Sequence, residues 1–211
     1  MPGPPIGPAG LLEWFGGIDV YLFDQLLKGR LAPGMEVLDA GCGAGRNLVY
    51  LLRAGFRVAA VDADVDAVAR VRALAAELAP SLDAGRFRVA AVEALPFSDA
   101  AFDFVISSAV LHFARDEAHF RAMLGEMWRV LRPGRVLWAR LASDVAIEQA
   151  VRPLGGRRFV LPDGSERFLV DERMLRAAEA ELDARPLDPL RTTLVHGRRS
   201  MTTWCIRKPA G

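Results

Sequence analysis

The sequence predicts a doubly wound α/β fold around a mostly parallel sheet, and three observations predict it. Short apolar runs alternate with helical patterns of about 10–15 residues, the rhythm of βαβ units. Glu36–Ala40, Arg57–Val61 and Phe102–Ser107 are near-continuous apolar runs, as strands buried on both faces are. The last two β-rich segments, Arg191–His196 and Met201–Arg207, are separated only by Gly197–Ser200. That connection is too short for a parallel crossover, so the two pair antiparallel.

Each element has a local reason. Pro2–Gly10 reads as a flexible arm. Ile18–Leu27 has helical spacing and can end at Gly29, and Pro33-Gly34 is a turn. Glu36–Ala40 is the first strand, Gly41–Gly45 a tight glycine turn, and Leu48, Val49, Leu51 and Leu52 continue as a helix that Gly55 stops. Arg57–Val61 is the second strand, closed by Asp62. Asp64 or Asp66 caps a helix carrying Val65, Val68, Val71, Leu74 and Leu78, which Pro80 ends. Phe87–Val92 and Phe102–Ser107 are strands three and four. A helix capped near Asp116 runs through Phe120, Met123, Leu124, Met127 and Leu131 to Pro133-Gly134, and Val136–Leu141 is strand five. From Ser143 the rhythm changes. Phe159–Phe168 holds the turn Pro162-Asp163-Gly164-Ser165 and reads as a hairpin, and Asp171–Leu182 as a helix.

Composition narrows the function. The 211 residues are 52% hydrophobic and 25% charged, a globular balance. A formal net charge of +1 offers no global field for nucleic acid or an anionic membrane. No apolar stretch approaches the roughly 20 residues of a membrane span, and no secretory signal opens the chain. Cys42 and Cys205 lie far apart and give no disulfide framework, which fits a reducing cytoplasm. The reading is a single domain: residues 1–33 an arm and lid helix, 34–143 a cofactor core, 144–190 a variable acceptor segment, 191–211 the closing strands. It would act as a monomer or homodimer.

The informative stretch is Asp39-Ala40-Gly41-Cys42-Gly43-Ala44-Gly45-Arg46, where a strand passes into a helix at the ligand crevice of an open α/β sheet. Glycines there let backbone approach a ligand, although an ordinary tight turn uses them too. A dinucleotide fingerprint would place its third glycine at position 46, where this chain has Arg46; its pattern is G-x-G-x-G. Asp39 is placed to orient a cationic amino group, and Asp62, ending the second strand, to accept both hydroxyls of a ribose.

These residues resemble the signature motifs of class I S-adenosylmethionine-dependent methyltransferases. Ala94-Leu95-Pro96-Phe97 followed by Phe102–Ser107, and Leu131-Arg132-Pro133-Gly134, are similar to the family's later motifs. Gly45-Arg46-Asn47-Leu48-Val49-Tyr50-Leu51 is similar to the tellurite-resistance methyltransferases and related small-molecule enzymes. The likeness spans roughly residues 34–143 and implies a Rossmann-like, seven-stranded sheet with an antiparallel last strand. It implies that Asp39, Gly41, Cys42, Gly43 and Gly45 hold the methionine part of S-adenosyl-L-methionine, with Arg46 toward its carboxylate, and Asp62 with Ala63 the ribose. Val92 would meet the adenine through its backbone, and Ser107 or Ser108 would lie beside the sulfonium. One position departs from the family. The aspartate that binds the adenine amino group in relatives is replaced by Ala91, so that either Glu93 substitutes or the contact is missing.

The implied reaction moves a methyl group to a small-molecule acceptor by in-line displacement, for which positioning supplies much of the acceleration. It needs neither a metal nor a protein nucleophile. His112, after strand four, is the candidate catalytic base; packing against the following helix is its other reading. His112, Asp116 and His119 have metal-like spacing, but Asp116 reads as a cap, so no metal site is predicted. Trp14, Phe15 and Tyr21 form either a lid, hinged at Gly16-Gly17, or a core-facing stripe. Arg152, Arg157, Arg158 and Arg167 either receive an anionic acceptor or are solvated. Competing readings are a nicotinamide-dependent oxidoreductase and a non-catalytic S-adenosylmethionine-binding module.

Overall fold

The computed structural model describes residues 7–210. The chain runs α1 (Pro8–Phe15), α2 (Val20–Leu27), β1 (Glu36–Ala40), α3 (Val49–Arg53), β2 (Arg57–Asp62), α4 (Val65–Leu78), β3 (Phe87–Val89), β4 (Phe102–Ser108), α5 (Glu117–Val130) and β5 (Leu131–Ala142). It continues with β6 (Arg152–Gly155), β7 (Arg158–Val160), β8 (Glu166–Phe168), α6 (Glu172–Glu181), β9 (Arg185–Pro186), β10 (Arg191–Val195) and β11 (Arg199–Arg207).

The main sheet has the order β10-β11-β5-β4-β1-β2-β3. Its β1, β2, β3, β4 and β5 pair in parallel, and β11 is antiparallel to both β5 and β10. The short β9 shares the same edge of β11 as β10, so eight strands occupy seven positions. This is the mostly parallel sheet with an antiparallel last strand that the sequence predicted. The order reverses between β1 and β4, and such a switch point opens a crevice at the strand ends.

Burial on both faces follows from residue parity. Leu38, Val105, Leu137 and Trp204 point to the layer that holds Phe120, Met127 and Leu175. Their neighbours Val37, Phe104, Trp138 and Cys205 point to the opposite layer, with Leu22, Leu51, Phe56 and Val71. Nearly continuous apolar strands are therefore what a sheet covered on both sides requires.

Five boundaries differ from expectation. β3 stops at Val89 rather than Val92, because β2 ends at Asp62, the partner of Val89, and no ladder remains beyond it. Residues Val92–Ala94 form a 3₁₀ turn instead. β5 begins at Leu131, which pairs with Phe102 across an irregularity spanning Pro133-Gly134, so the preceding helix ends at Val130. The first crossover helix shortens to α3 because Gly45 N–H and Leu48 N–H make tight turn bonds to Cys42 O and Gly45 O. Pro8–Gly10, expected as part of an arm, belong to α1, where Pro8 occupies the first turn and gives up no helix bond; the rest of that arm, residues 2–6, lies outside the described residues. The expected hairpin gains β6 as a third strand.

Caps fall on acidic residues. Asp19, Asp64, Asp116 and Asp171 each accept a backbone N–H at the start of α2, α4, α5 and α6.

Candidate functional site

A cavity of about 530 Å³ opens at the carboxyl ends of β1, β2 and β4. The glycine turn forms one wall, and its three glycines do different work. Gly41 (φ 86°) packs against β4's exit, where an added Cβ would come within 2.4 Å of Val110 Cγ2. Gly45 (φ 79°) faces α4, with Val71 Cγ2 at 3.0 Å from such a Cβ. Only Gly43 (φ 51°) has nothing within 4 Å, so its backbone is the one left bare to a ligand.

Gly41, Cys42, Gly43, Arg46, Asp62 and Ala63 line the cavity from this side. Asp62 is aimed by two backbone donors: Gly43 N–H reaches Oδ2 at 2.8 Å and Asp64 N–H reaches Oδ1 at 3.0 Å. Val92, Glu93 and Ser108 line the far side and rim. Gly45, Ser107, Asp39 and His112 do not line it. Ser107 is fully buried in β4, and its Oγ has no partner among the described residues.

Asp39 is the most telling group. It is 1% exposed on β1, and neither carboxyl oxygen has a hydrogen-bond partner among the described residues. Burial pushes its carboxyl up to about 7; Arg46 opposes the shift and the Asp62 charge adds to it. A buried carboxylate without a partner is costly, which is why the group holds its proton to so high a pH. Cys42, 6% exposed, has its thiol pushed well above the usual range by burial, then by Asp39 and Asp62. It is a small packing residue and not an activated thiolate.

His112 sits in the 3₁₀ turn Leu111–Phe113, 7% exposed, with its Nδ1 buried and without a partner among the described residues. Burial lowers it to about 4, helped by Arg167 and Arg199, so the ring is neutral at neutral pH. Its neighbour Phe113 faces the cavity, its ring 4.7 Å from the imidazole.

The structure brings in residues that the sequence reading passed over. His119 and Met123 of α5 line the same cavity as Val92 and Glu93. Asn47 Oδ1 accepts Asp19 N–H at 2.9 Å, and the buried Asp19 carboxylate meets Arg140 at 2.9 Å and Arg46 at 3.4 Å. Arg46 also donates to Ser108 Oγ at 3.0 Å. The start of α2 is thus tied to the end of the glycine turn. The helical spacing was expected from Ile18, whereas the helix begins at Val20 with Asp19 as its cap; neither the cap nor its ion pairs were read from the sequence. Phe15 stacks on Tyr50 at 5.2 Å, Arg53 lies over Trp14, and Tyr21 Oη meets Thr193 Oγ1 at 2.7 Å, so these aromatics pack against neighbouring elements. Of the arginines flagged after β5, Arg157 bridges Asp144 and Asp171, and Arg158 pairs with Glu166. Arg167 lies 4.9 Å over the Phe113 ring at the cavity mouth.

The fold and its switch-point cavity are those of an open α/β sheet with a ligand crevice at its strand ends. Residues 37–134 match a family model described as a methyltransferase domain. The chain is 32% identical over 175 residues to a ubiquinone biosynthesis O-methyltransferase of Methylocella silvestris, covering 78% of this chain and 66% of that protein. It is 33% identical to a malonyl-[acyl-carrier protein] O-methyltransferase of Erwinia billingiae, covering 69% and 53%. The chain therefore spans about half to two thirds of these relatives. The fold superposes on a Burkholderia thailandensis 1,6-didemethyltoxoflavin-N1-methyltransferase, solved with its substrate and S-adenosylhomocysteine, with a TM-score of 0.67 at 21% identity, covering 99% and 93%. The chain belongs to the class I S-adenosylmethionine-dependent methyltransferases.

The residues present fit that family's cofactor on their own terms. Asp39 is an orphaned buried anion awaiting a cation, Gly43 leaves a bare backbone, and Asp62 presents an aimed carboxylate.

Proposed function

We propose that this protein transfers the methyl group of S-adenosyl-L-methionine to a small-molecule acceptor. The observation that carries the reading is the buried, partnerless Asp39 beneath a glycine turn whose Gly43 is open to the cavity. When bound, the cofactor supplies a methyl group already activated on a positive sulfur. That methyl group would be taken by an acceptor lone pair as the carbon–sulfur bond breaks, with S-adenosylhomocysteine as the leaving product. Asp39 answers the ammonium of the methionine part, Arg46 its carboxylate, and Asp62 the ribose hydroxyls. Gly41, Cys42, Gly43 and Ala63 shape the floor, Gly45 holds the turn against α4, and Val92 and Glu93 meet the adenine. Ser108, which ends β4 and lines the cavity, flanks the sulfur; Ser107, also expected there, is fully buried behind it and does not line the cavity.

The protein contributes position and water exclusion, which suffice for a strongly activated donor. The acceptor enters over Ser108, Ala109 and Phe113, where the segment after β5 contributes Arg167. The two O-methyltransferase relatives favour an oxygen nucleophile. Where that oxygen must lose a proton, His112 is the candidate base, although it lies behind Phe113 and its lowering to about 4 by burial makes it a weak acceptor at neutral pH. Replacing His112 with Ala tests this: turnover lowered about 100-fold supports the role, and unchanged turnover removes it.

The protein is read as one domain, with residues 34–143 for the cofactor and 144–190 for the acceptor, acting as a monomer or homodimer without nucleic acid. Among the described residues no helix is long and apolar enough to cross a membrane, and both thiols are free and buried, in keeping with the cytoplasm. Calorimetry separates this reading from the nicotinamide alternative: S-adenosylmethionine should bind saturably and NAD should not. Mass spectrometry of cell extract incubated with methyl-labelled cofactor separates it from the non-catalytic one. A labelled small molecule supports transfer, and binding without any labelled product overturns it.

A further inference from the structure

The adenine end of the cavity departs from its family at Ala91. The 3₁₀ turn at Val92–Ala94 begins there with no side-chain cap, and Ala91 itself lines the cavity. An aspartate's volume and charge are therefore missing at that wall. Two other polar side chains face the same wall. Glu93 lines it from the turn and His119 from the first turns of α5.

These two are arranged as a unit. Arg115 N–H donates to His119 Nδ1 at 3.1 Å, so the proton of the neutral ring resides on Nε2. That Nε2 lies 2.9 Å from Glu93 Oε1, with Arg115 Nη1 a further 3.7 Å from the same oxygen. The Nε2 contact is close but too poorly aligned for a full hydrogen bond, so Nε2 is a buried polar atom whose pairing with Glu93 is loose; the Glu93 carboxyl is held below the usual range first by its own backbone N–H and then by His119. Glu93's second oxygen, Oε2, makes no ion pair or side-chain hydrogen bond among the described residues. His119 is also fixed from behind, since its own N–H donates to the capping Asp116 Oδ1 at 2.7 Å.

The wall thus offers an acceptor oxygen beside a ring N–H donor. Adenine presents the complementary edge, an exocyclic amino donor beside a ring-nitrogen acceptor, the pair by which amide side chains read adenine in nucleic acids. We propose that Glu93 and His119 together read the adenine edge of the cofactor, Glu93 accepting from the 6-amino group and His119 donating to the ring nitrogen beside it. His119 is a specificity residue and also positions Glu93; Arg115, through its backbone N–H, is a positioning residue that fixes the imidazole tautomer. The inference rests on the cofactor reading above and extends it to how the base is chosen.

The test is calorimetry on the full chain with two ligands, S-adenosylhomocysteine and S-inosylhomocysteine. The second carries a 6-oxo group in place of the amine and a proton on N1, so the position facing the Glu93 carboxylate changes from donor to acceptor. The wild type should prefer the adenosyl ligand by about tenfold or more, the scale of one hydrogen bond to a charged group. Glu93→Gln should reduce that preference to about threefold or less, because an amide can turn either its donor or its acceptor to the base. His119→Leu should weaken both ligands and blur the preference, whereas His119→Gln, which keeps an N–H near Nε2, should retain most of it. Introducing Ala91→Asp into the Glu93→Gln chain should restore the preference. If Glu93→Gln and His119→Leu both bind S-adenosylhomocysteine with the wild-type preference unchanged, the pair does not read the base. If the wild-type chain shows no saturable binding of S-adenosylhomocysteine, the cofactor reading itself fails, and this inference with it.

Discussion

At the scale of single residues the site is governed by a carboxyl group that the fold holds out of water. The Asp39 carboxyl is raised from its ordinary value of 3.8 to about 7 in the free protein, chiefly by burial. With a folded value above the unfolded one, its favourable contribution is complete below about pH 4 and is lost as pH climbs toward 7. An ammonium placed beside it favours the ionised form, so cofactor binding below pH 7 must release a proton. Affinity for S-adenosylhomocysteine should therefore rise with pH from about 5.5 to 7, by no more than about tenfold per unit, and level off above. Calorimetry in two buffers of different ionisation heat will show the proton released, and Asp39→Asn should flatten the slope. For Asp62, Ala substitution should weaken binding by about 1–3 kcal/mol, the scale of hydrogen bonds lost from a charged acceptor; an unchanged affinity would leave Asp62 with only its two backbone bonds to explain it. These two acids were legible because strand-end carboxylates flanking a glycine turn have few other uses. His119 was not, because its value depends on a tautomer set by Arg115 N–H and on a wall shared with Glu93, neither of which is a sequence pattern.

At the scale of elements, the entry of α2 is the joint to test. Its cap Asp19 has a side chain only 2% exposed, yet it faces Arg140 and Arg46 and accepts Tyr21 N–H. Asp19→Asn keeps the cap but leaves Arg140 facing a neutral group. Removing one partner of a buried pair costs about 3–5 kcal/mol, and since Arg140 stays 20% exposed a loss of about 2–3 kcal/mol in urea unfolding is expected. Loosening of Arg46 should also weaken the cofactor; stability lost with affinity unchanged would make the joint purely structural. Asp19 was obscured because the apolar spacing started one residue before it, at Ile18, and pairing across 121 residues to Arg140 leaves no local trace. Strand ends fail for the same reason: β3 ends where β2 runs out, and β5 starts early because Phe102 offers Leu131 a partner. α1 was hidden by the Pro- and Gly-rich composition of its first turn.

For the whole molecule the two-faced sheet was legible because parity and rhythm are properties of the string itself. Trp138 and Trp204, 0% and 1% exposed, anchor its opposite layers from adjacent strands. The small sheet of β6, β7 and β8 was only half seen, since Arg152–Gly155 has neither alternation nor β-branched residues to announce a strand. Because the cavity is built from the ends of β1, β2 and β4 together with α5, a ligand there ties both layers to the folded state. A ligand that binds only the folded chain stabilises it by about 2.7 kcal/mol at one hundred times its Kd. For a chain of this size each kcal/mol moves the melting midpoint by about 2–4 °C, so saturating S-adenosylhomocysteine should raise Tm by about 5–11 °C. NAD at the same concentration should leave it unmoved, since Arg46 stands where a pyrophosphate-binding turn needs its third glycine. Asp62→Ala should lower the shift in proportion to its lost affinity, measured from a ligand-free midpoint that itself falls because two backbone N–H groups lose their acceptor. A shift of equal size with NAD would mean that the crevice recognises nucleotides by shape alone.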